Sequence, residues 1–198
     1  MEAEKTSPKI LKILLKEFSV KHTITSIAKE IGMTRAGTWK TLKKLEKEKL
    51  IILDSIGTGK TSTYVISLSR ENPILEKTLS LILTEEAIKN QRWMDNFKEL
   101  ENKLDFLMIY GSTLYSKEAN DIDIIGITNK NKFVEIESVI AKMQKTQIKK
   151  IHALNFTEAE FKQELQKLNK AFIDATKKGI ILFGQEKFIK FIRGIKYE

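Results

Sequence analysis

Residues 106–128 read FLMIYGSTLYSKEANDIDIIGIT. Phe106–Tyr110 is an uninterrupted apolar run, the pattern of a buried strand. Gly111-Ser112 then makes a turn, a polar connector follows, and Asp121–Ile127 forms a second buried strand carrying Asp121 and Asp123. Side chains alternate along a strand, so Asp121 and Asp123 share a face while Ile122 and Ile124 take the other. Two like charges on an apolar strand repel each other and are costly to bury. A divalent cation offsets that cost, and paired carboxylates with phosphate oxygens are usual ligands of Mg2+. Gly111 lets backbone approach a ligand closely, and Ser112 with the neighbouring N–H groups can donate hydrogen bonds to phosphate. One short unit therefore offers a phosphate cradle and a metal-holding pair, the minimum for metal-assisted transfer of a nucleotidyl group. Without a ligand, the same residues read as an exposed Asp pair opening a strand after a hairpin.

Gly-Ser followed ten residues later by Asp-x-Asp on a strand resembles the signature of the nucleotidyltransferase superfamily with the polymerase-beta fold. The small stand-alone members, the minimal nucleotidyltransferases, look closest. The resemblance implies that Gly111 and Ser112 hold a nucleoside triphosphate and that Asp121 and Asp123 bind Mg2+ and carry catalysis. The chain departs from the family pattern in two places. Active members add a third acidic residue on the next long strand, expected here within Gln147–Phe156; the equivalent position is His152. A neutral imidazole can ligate a metal or accept a proton near its ordinary pKa of about 6.5, but is a poor third ligand for hard Mg2+. His152 also reads as a partly buried imidazole on a sheet face. The connector lacks the Arg and Gly common in the family, and Lys117 is its only candidate for phosphate.

The charge of the chain is uneven. Net charge is +9 over 198 residues; residues 1–70 hold 14 Lys and Arg against 7 Asp and Glu, a net of +7. That excess points the first third at a polyanion. Its apolar pattern predicts three helices: one opened by Ser7 as N-cap and Pro8, a short one over Thr23–Ile31, and a third capped by Thr34 after a tight turn at Gly32-Met33. Trp39, Leu42, Leu45 and Leu50 form the third helix's inner face. Ile51–Asp54 and Tyr64–Leu68 read as strands joined by a glycine-bearing tip. The segment TITSIAKEIGMTRAGTWKTLKKLEKEKLI resembles the winged helix-turn-helix family along its whole length. That resemblance implies double-stranded DNA as partner, with the third helix in the major groove. Thr34, Arg35, Gly37, Thr38, Lys40, Thr41 and Lys44 are the expected exposed contacts, and Lys60 on the wing would touch phosphate. Arg35 suits guanine and Thr38 a thymine methyl. A winged helix can also serve protein contact alone.

Arg70-Glu71-Asn72-Pro73 marks a boundary, with Pro73 starting a helix. Ile74–Leu104 is expected to be mostly helical, broken once, packing on both domains or on a second copy. Phe133–Lys145 reads as an amphipathic helix, Ile148–Leu154 as a strand, and Thr157-Glu158-Ala159-Glu160 as a capping box. Ala171–Lys178 is a further helix, Ile180–Gly184 a short strand and Glu186–Ile195 a terminal helix. The run KGIILFG at 178–184 resembles small archaeal-type proteins that join a winged helix to a nucleotidyltransferase domain.

The expected fold is α+β: a winged helix over 1–70, connector helices over 71–104, and a nucleotidyltransferase-like domain over 105–198 with a small mixed sheet flanked by helices. The chain has no cysteine, so thiolate chemistry and disulfides are excluded. No run of eighteen apolar residues is present and the first residues are acidic and polar. A cytoplasmic homodimer that avoids membranes is expected. Three functions fit: a DNA-binding protein that transfers a nucleotidyl group to an unknown acceptor, a regulator whose second domain only senses nucleotide or dimerises, and, by family analogy, a toxin–antitoxin component.

Overall fold

The computed structural model describes residues 2–57, 63–69, 71–116 and 118–195, with side chains from residue 6 onward. The fold is mixed α+β and divides into two units, Met1–Ile82 and Leu83–Glu198. The division falls inside one continuous helix, in the stretch expected to connect the domains.

In the first unit α1 (Glu2–Lys16) is followed by β1 (His22–Thr23), α2 (Ile24–Ile31), α3 (Arg35–Lys47), β2 (Ile51–Ile56) and β3 (Thr63–Leu68). Pro8 lies inside α1 and does not begin it. The helix therefore starts earlier than Ser7-Pro8 suggests. Thr23 caps α2 in a reciprocal capping box with Ser26, and Gly32 ends it in the left-handed conformation at φ 71°. That turn redirects the chain into α3. Ile10, Leu11, Leu14 and Leu15 of α1 are buried together with Ile27, Leu42, Leu45 and Ile66. The sheet has the order β1-β3-β2, all antiparallel; the two-residue β1 was not expected from the sequence.

α4 (Pro73–Ile88) starts at Pro73 as expected. The connector breaks more than once, into α5 (Gln91–Asn96) and a 3-10 turn over Lys98–Leu100. The second unit then runs β4 (Phe106–Tyr110), β5 (Asp121–Ile127), α6 (Phe133–Gln144), β6 (Lys150–Phe156), α7 (Glu158–Gln166), α8 (Lys170–Lys178), β7 (Ile180–Phe183) and α9 (Gln185–Arg193). The strand order is β6-β5-β4-β7. β4 is antiparallel to both neighbours, and β5 and β6 are parallel, with α6 as their crossover. β6 begins two residues later than the apolar pattern suggests. Gln144 at the end of α6 bonds the carbonyls of Gln147 and Lys149 and accepts from the Ile151 N–H, which holds 145–149 as a turn and leaves Ile148 fully exposed.

The two faces of this sheet are filled differently. Leu107, Ile109, Ile122 and Ile124 pack against Phe97, Leu100, Ile136 and Met143. On the other face Phe106, at one end of β4, meets Phe188 at 5.4 Å and Phe191 at 5.5 Å between ring centres, and Phe161 stacks on Phe191 at 5.6 Å. Phe156, at the C-terminal end of β6, joins them through Phe161 and Phe172. Phe106, Phe161, Phe188 and Phe191 are buried, and each such ring stabilises the fold by roughly 1.5–3 kcal/mol. The strand alternation puts Asp121, Asp123, Tyr110 and His152 on this same face, at its opposite end. There the sheet is only half covered, as the partial exposure of all four shows.

Candidate functional site

Tyr110, Asp123 and His152 lie side by side on β4, β5 and β6: Tyr110 pairs with Asp123 across the antiparallel ladder, and Asp123 with His152 across the parallel one. His152 Nδ1 is 3.4 Å from Asp123 Oδ1, and its Nε2 is 3.9 Å from Asp121 Oδ1. The position expected to replace a third carboxylate therefore does face both carboxylates. Asp123 is the more enclosed, its side chain 26 % exposed against 44 % for Asp121.

The turn preceding them is fitted to Asp123. Gly111 has φ 81° and ψ −167°, a backbone region reserved for glycine. A Cβ on Gly111 would stand 2.3 Å from Asp123 Oδ2, so only glycine lets the carboxylate lie against the turn. Ser112 follows, exposed, at the start of a 3-10 turn over Ser112–Leu114. Two residues in this corner escaped the sequence reading. Thr113 Oγ1 is buried with no hydrogen-bond partner among the described residues. The Tyr110 hydroxyl is pushed above its ordinary pKa, first by burial and second by the negative charge of Asp123, which keeps it protonated. Thr113 directly follows Gly-Ser, so its signal was available; the register that sets Tyr110 opposite Asp123 comes from the β4–β5 pairing.

Among the described residues no three His, Asp or Glu side chains are set to hold a metal ion by themselves. The donor set suits a cation shared with phosphate, for which two carboxylates and ligand oxygens suffice. Asp121 and Asp123 would hold it, and its charge would neutralise phosphate oxygens placed on the Gly111–Ser112 turn. His152 sets an imidazole beside the pair. Lys117 lies outside the described residues.

The second candidate surface is on α3. Thr34 caps the helix, its side chain accepting from the Gly37 N–H at 3.2 Å. Arg35, Lys40 and Lys44 are exposed, as expected, although Lys44 Nζ lies 3.9 Å from Glu48. Thr38 and Thr41 are not exposed: they are 0 % and 6 % accessible. Their hydroxyls donate to the carbonyls of Thr34 and Gly37 one turn back. A step of about 100° per residue puts positions 38, 41, 42 and 45 on one side, so both threonines line the core beside Leu42 and Leu45. Trp39 was expected inside and is half-exposed. Its ring lies 5.1 Å from that of Tyr64 on β3, with Lys43 Nζ 4.7 Å above it. Trp39 and Tyr64 are thus aromatic surface next to the basic side chains. Lys60 lies outside the described residues.

No family model matches the chain, and no curated protein matches it. Two solved structures of Lactococcus lactis ZitR show a slight likeness. A cysteine-to-serine mutant is 20 % identical, over 72 % of this chain and 75 % of that one, with a TM-score of 0.32. A cysteine-to-alanine, histidine-to-alanine double mutant in the apo form is 19 % identical, over 74 % of this chain and 85 % of that one, with a TM-score of 0.33. At these scores the likeness transfers no function. Among the described residues no helix is long and apolar enough to cross a membrane.

Proposed function

We propose that the chain is a DNA-binding transcriptional regulator in which α3 reads duplex DNA and the second unit, a nucleotidyltransferase-type domain, senses a Mg2+-bound nucleotide. The observation that carries the reading is the presentation of Arg35 and Lys40 on the first turns of α3. The left-handed turn at Gly32 and the Thr34 cap lead into them, and their side chains are exposed. The N-terminal part of such a helix is the part that reaches base edges in the major groove. The net +7 of the first 70 residues supplies attraction to phosphate. A homodimer on a two-part site completes the reading.

The test is selection of DNA sites, then titration of Arg35→Ala and Lys40→Ala against the selected duplex and a scrambled one. Arg35→Ala is expected to reduce discrimination by about 1–3 kcal/mol, as for loss of a bidentate base contact. Lys40→Ala is expected to weaken both duplexes alike and to lower the salt slope by about 1. Equal binding by wild type and Arg35→Ala on both duplexes removes α3 as the reading helix.

A second reading, transfer of a nucleotidyl group to an unknown acceptor, is favoured by the fit of Gly111 to Asp123 and by the His152 imidazole against both carboxylates. Release of pyrophosphate from a nucleoside triphosphate, lost in an Asp121→Ala, Asp123→Ala protein, would establish it. Metal-dependent nucleotide binding without turnover would favour the sensor.

A further inference from the structure

Leu42 and Leu45 are buried, and Trp39 is the one large apolar side chain of α3 that is not. A single half-exposed aromatic needs no explanation, and a contact with Tyr64 that fastens α3 to β3 would account for it. Its neighbours on the helix give it a further meaning. Residues four apart meet on a helix surface, so Arg35, Trp39 and Lys43 form one row along α3, an apolar ring between two exposed cations. The ring is also held in place. The Tyr64 ring lies 5.1 Å away, and Lys43 Nζ lies 4.7 Å from the centre of Trp39 and 5.9 Å from that of Tyr64. Lys43 is in turn bonded to Glu46 at 2.8 Å. A side chain fixed in this way loses little freedom when a ligand covers it.

Where α3 reads duplex DNA through Arg35, the reading proposed above on which this inference rests, the same row carries Trp39 along the major groove. Base edges there present hydrogen-bond donors and acceptors and one apolar group, the 5-methyl of thymine. The hydrocarbon edge of an indole matches that group alone. Thr38, whose methyl is of a suitable type, is 0 % accessible and bonds Thr34 O, so it cannot serve. Four residues of helix set Trp39 about 6 Å beyond Arg35, and successive base pairs are about 3.4 Å apart. We propose that Trp39, held by Tyr64 and Lys43, is a specificity-determining residue that reads a thymine methyl within about two base pairs of the base read by Arg35.

The test uses the full-length protein and the selected duplex, with each thymine replaced in turn by deoxyuridine. The replacement removes the methyl and keeps every hydrogen-bonding group. At a thymine beside the Arg35 position, wild type is expected to bind the replaced duplex about fourfold more weakly, as for loss of one buried methyl group. Trp39→Ala is expected to bind the two duplexes equally, and Arg35→Ala to keep the difference between them. A selected site in which no thymine replacement weakens wild type, or a loss that persists in Trp39→Ala, overturns the assignment. A second measurement leaves Trp39 in place. The chain has two tryptophans, Trp39 and Trp93, so in Trp93→Phe all indole emission comes from position 39. That emission is expected to shift on saturation with the thymine duplex; if it stays unchanged, the contact is overturned even where Trp39→Ala does not fold. Failure of the whole α3 reading looks different, because Arg35→Ala then binds selected and scrambled duplexes as wild type does.

Discussion

Gly111 shows how far one residue can decide a site. Its φ of 81° and the 2.3 Å gap that a Cβ would leave to Asp123 Oδ2 are separate obstacles to any side chain. Gly111→Ala is expected to lower stability by about 1–3 kcal/mol from the backbone alone. It also pushes the Asp123 carboxylate off the turn, so Mg2+-dependent nucleotide affinity should fall more than stability does. Urea titration reads the first effect and calorimetry with nucleotide the second; an alanine variant matching wild type in both would remove the cradle. Thr38 makes the opposite point. Its type and place resemble a base-reading side chain, yet it is fully buried and its hydroxyl bonds Thr34 O at 3.0 Å. Thr38→Ala is therefore expected to cost about 1 kcal/mol of stability and to leave duplex discrimination unchanged, where Arg35→Ala changes discrimination and not stability. Chemical type could not separate Thr38 from Arg35; the phase of α3 against Leu42 and Leu45 does.

At the scale of elements, punctuation was legible and continuation was not. Thr157-x-x-Glu160 announced the start of α7, and the box forms in full. The Thr157 N–H and hydroxyl both bond Glu160 Oε2 at 2.8 Å, and the Glu160 N–H bonds Thr157 Oγ1 at 3.2 Å. Thr157→Ala is expected to lower stability by about 0.5–2 kcal/mol, as for loss of an N-cap. The same bonds hold the Glu160 carboxyl below its ordinary pKa of 4.5. Because the folded value is the lower one, the contribution of Glu160 is present above the unfolded pKa and fades as pH falls through the folded one. Thr157→Ala should raise the Glu160 pKa toward 4.5 in an NMR titration and flatten that part of the acid limb. Two strands of the second unit were equally plain: Phe106–Tyr110 and Asp121–Ile127 form where the apolar runs place them. The errors lie where local signals compete. Ser7-Pro8 imitates a helix start inside α1, Ile148 looks like strand but belongs to the turn tied by Gln144, and β1 is too short to carry any period. The pairing of Asp123 with His152 depends on β5 and β6 lying parallel through α6, which the two strands do not reveal separately.

At the scale of the whole molecule, a regulator that senses nucleotide must link two affinities. If Mg2+-bound nucleotide at Asp121 and Asp123 changes the affinity for DNA by some factor, DNA must change the affinity for nucleotide by the same factor. Such couplings typically amount to about 1–3 kcal/mol, or roughly 5–150-fold in a dissociation constant. The expected outcome is a shift of that order when the selected duplex is titrated with and without saturating nucleotide and Mg2+, and an equal shift in the converse titration. Asp121→Ala with Asp123→Ala should abolish the shift and leave DNA affinity at its nucleotide-free value, because neither residue lies on α3. The two measurements check each other, since unequal factors would reveal competition for a shared surface or a change in assembly. Identical DNA affinity at zero and saturating nucleotide would leave the two units thermodynamically independent. The sensor reading then fails, while the reading of α3 stands on its own titration.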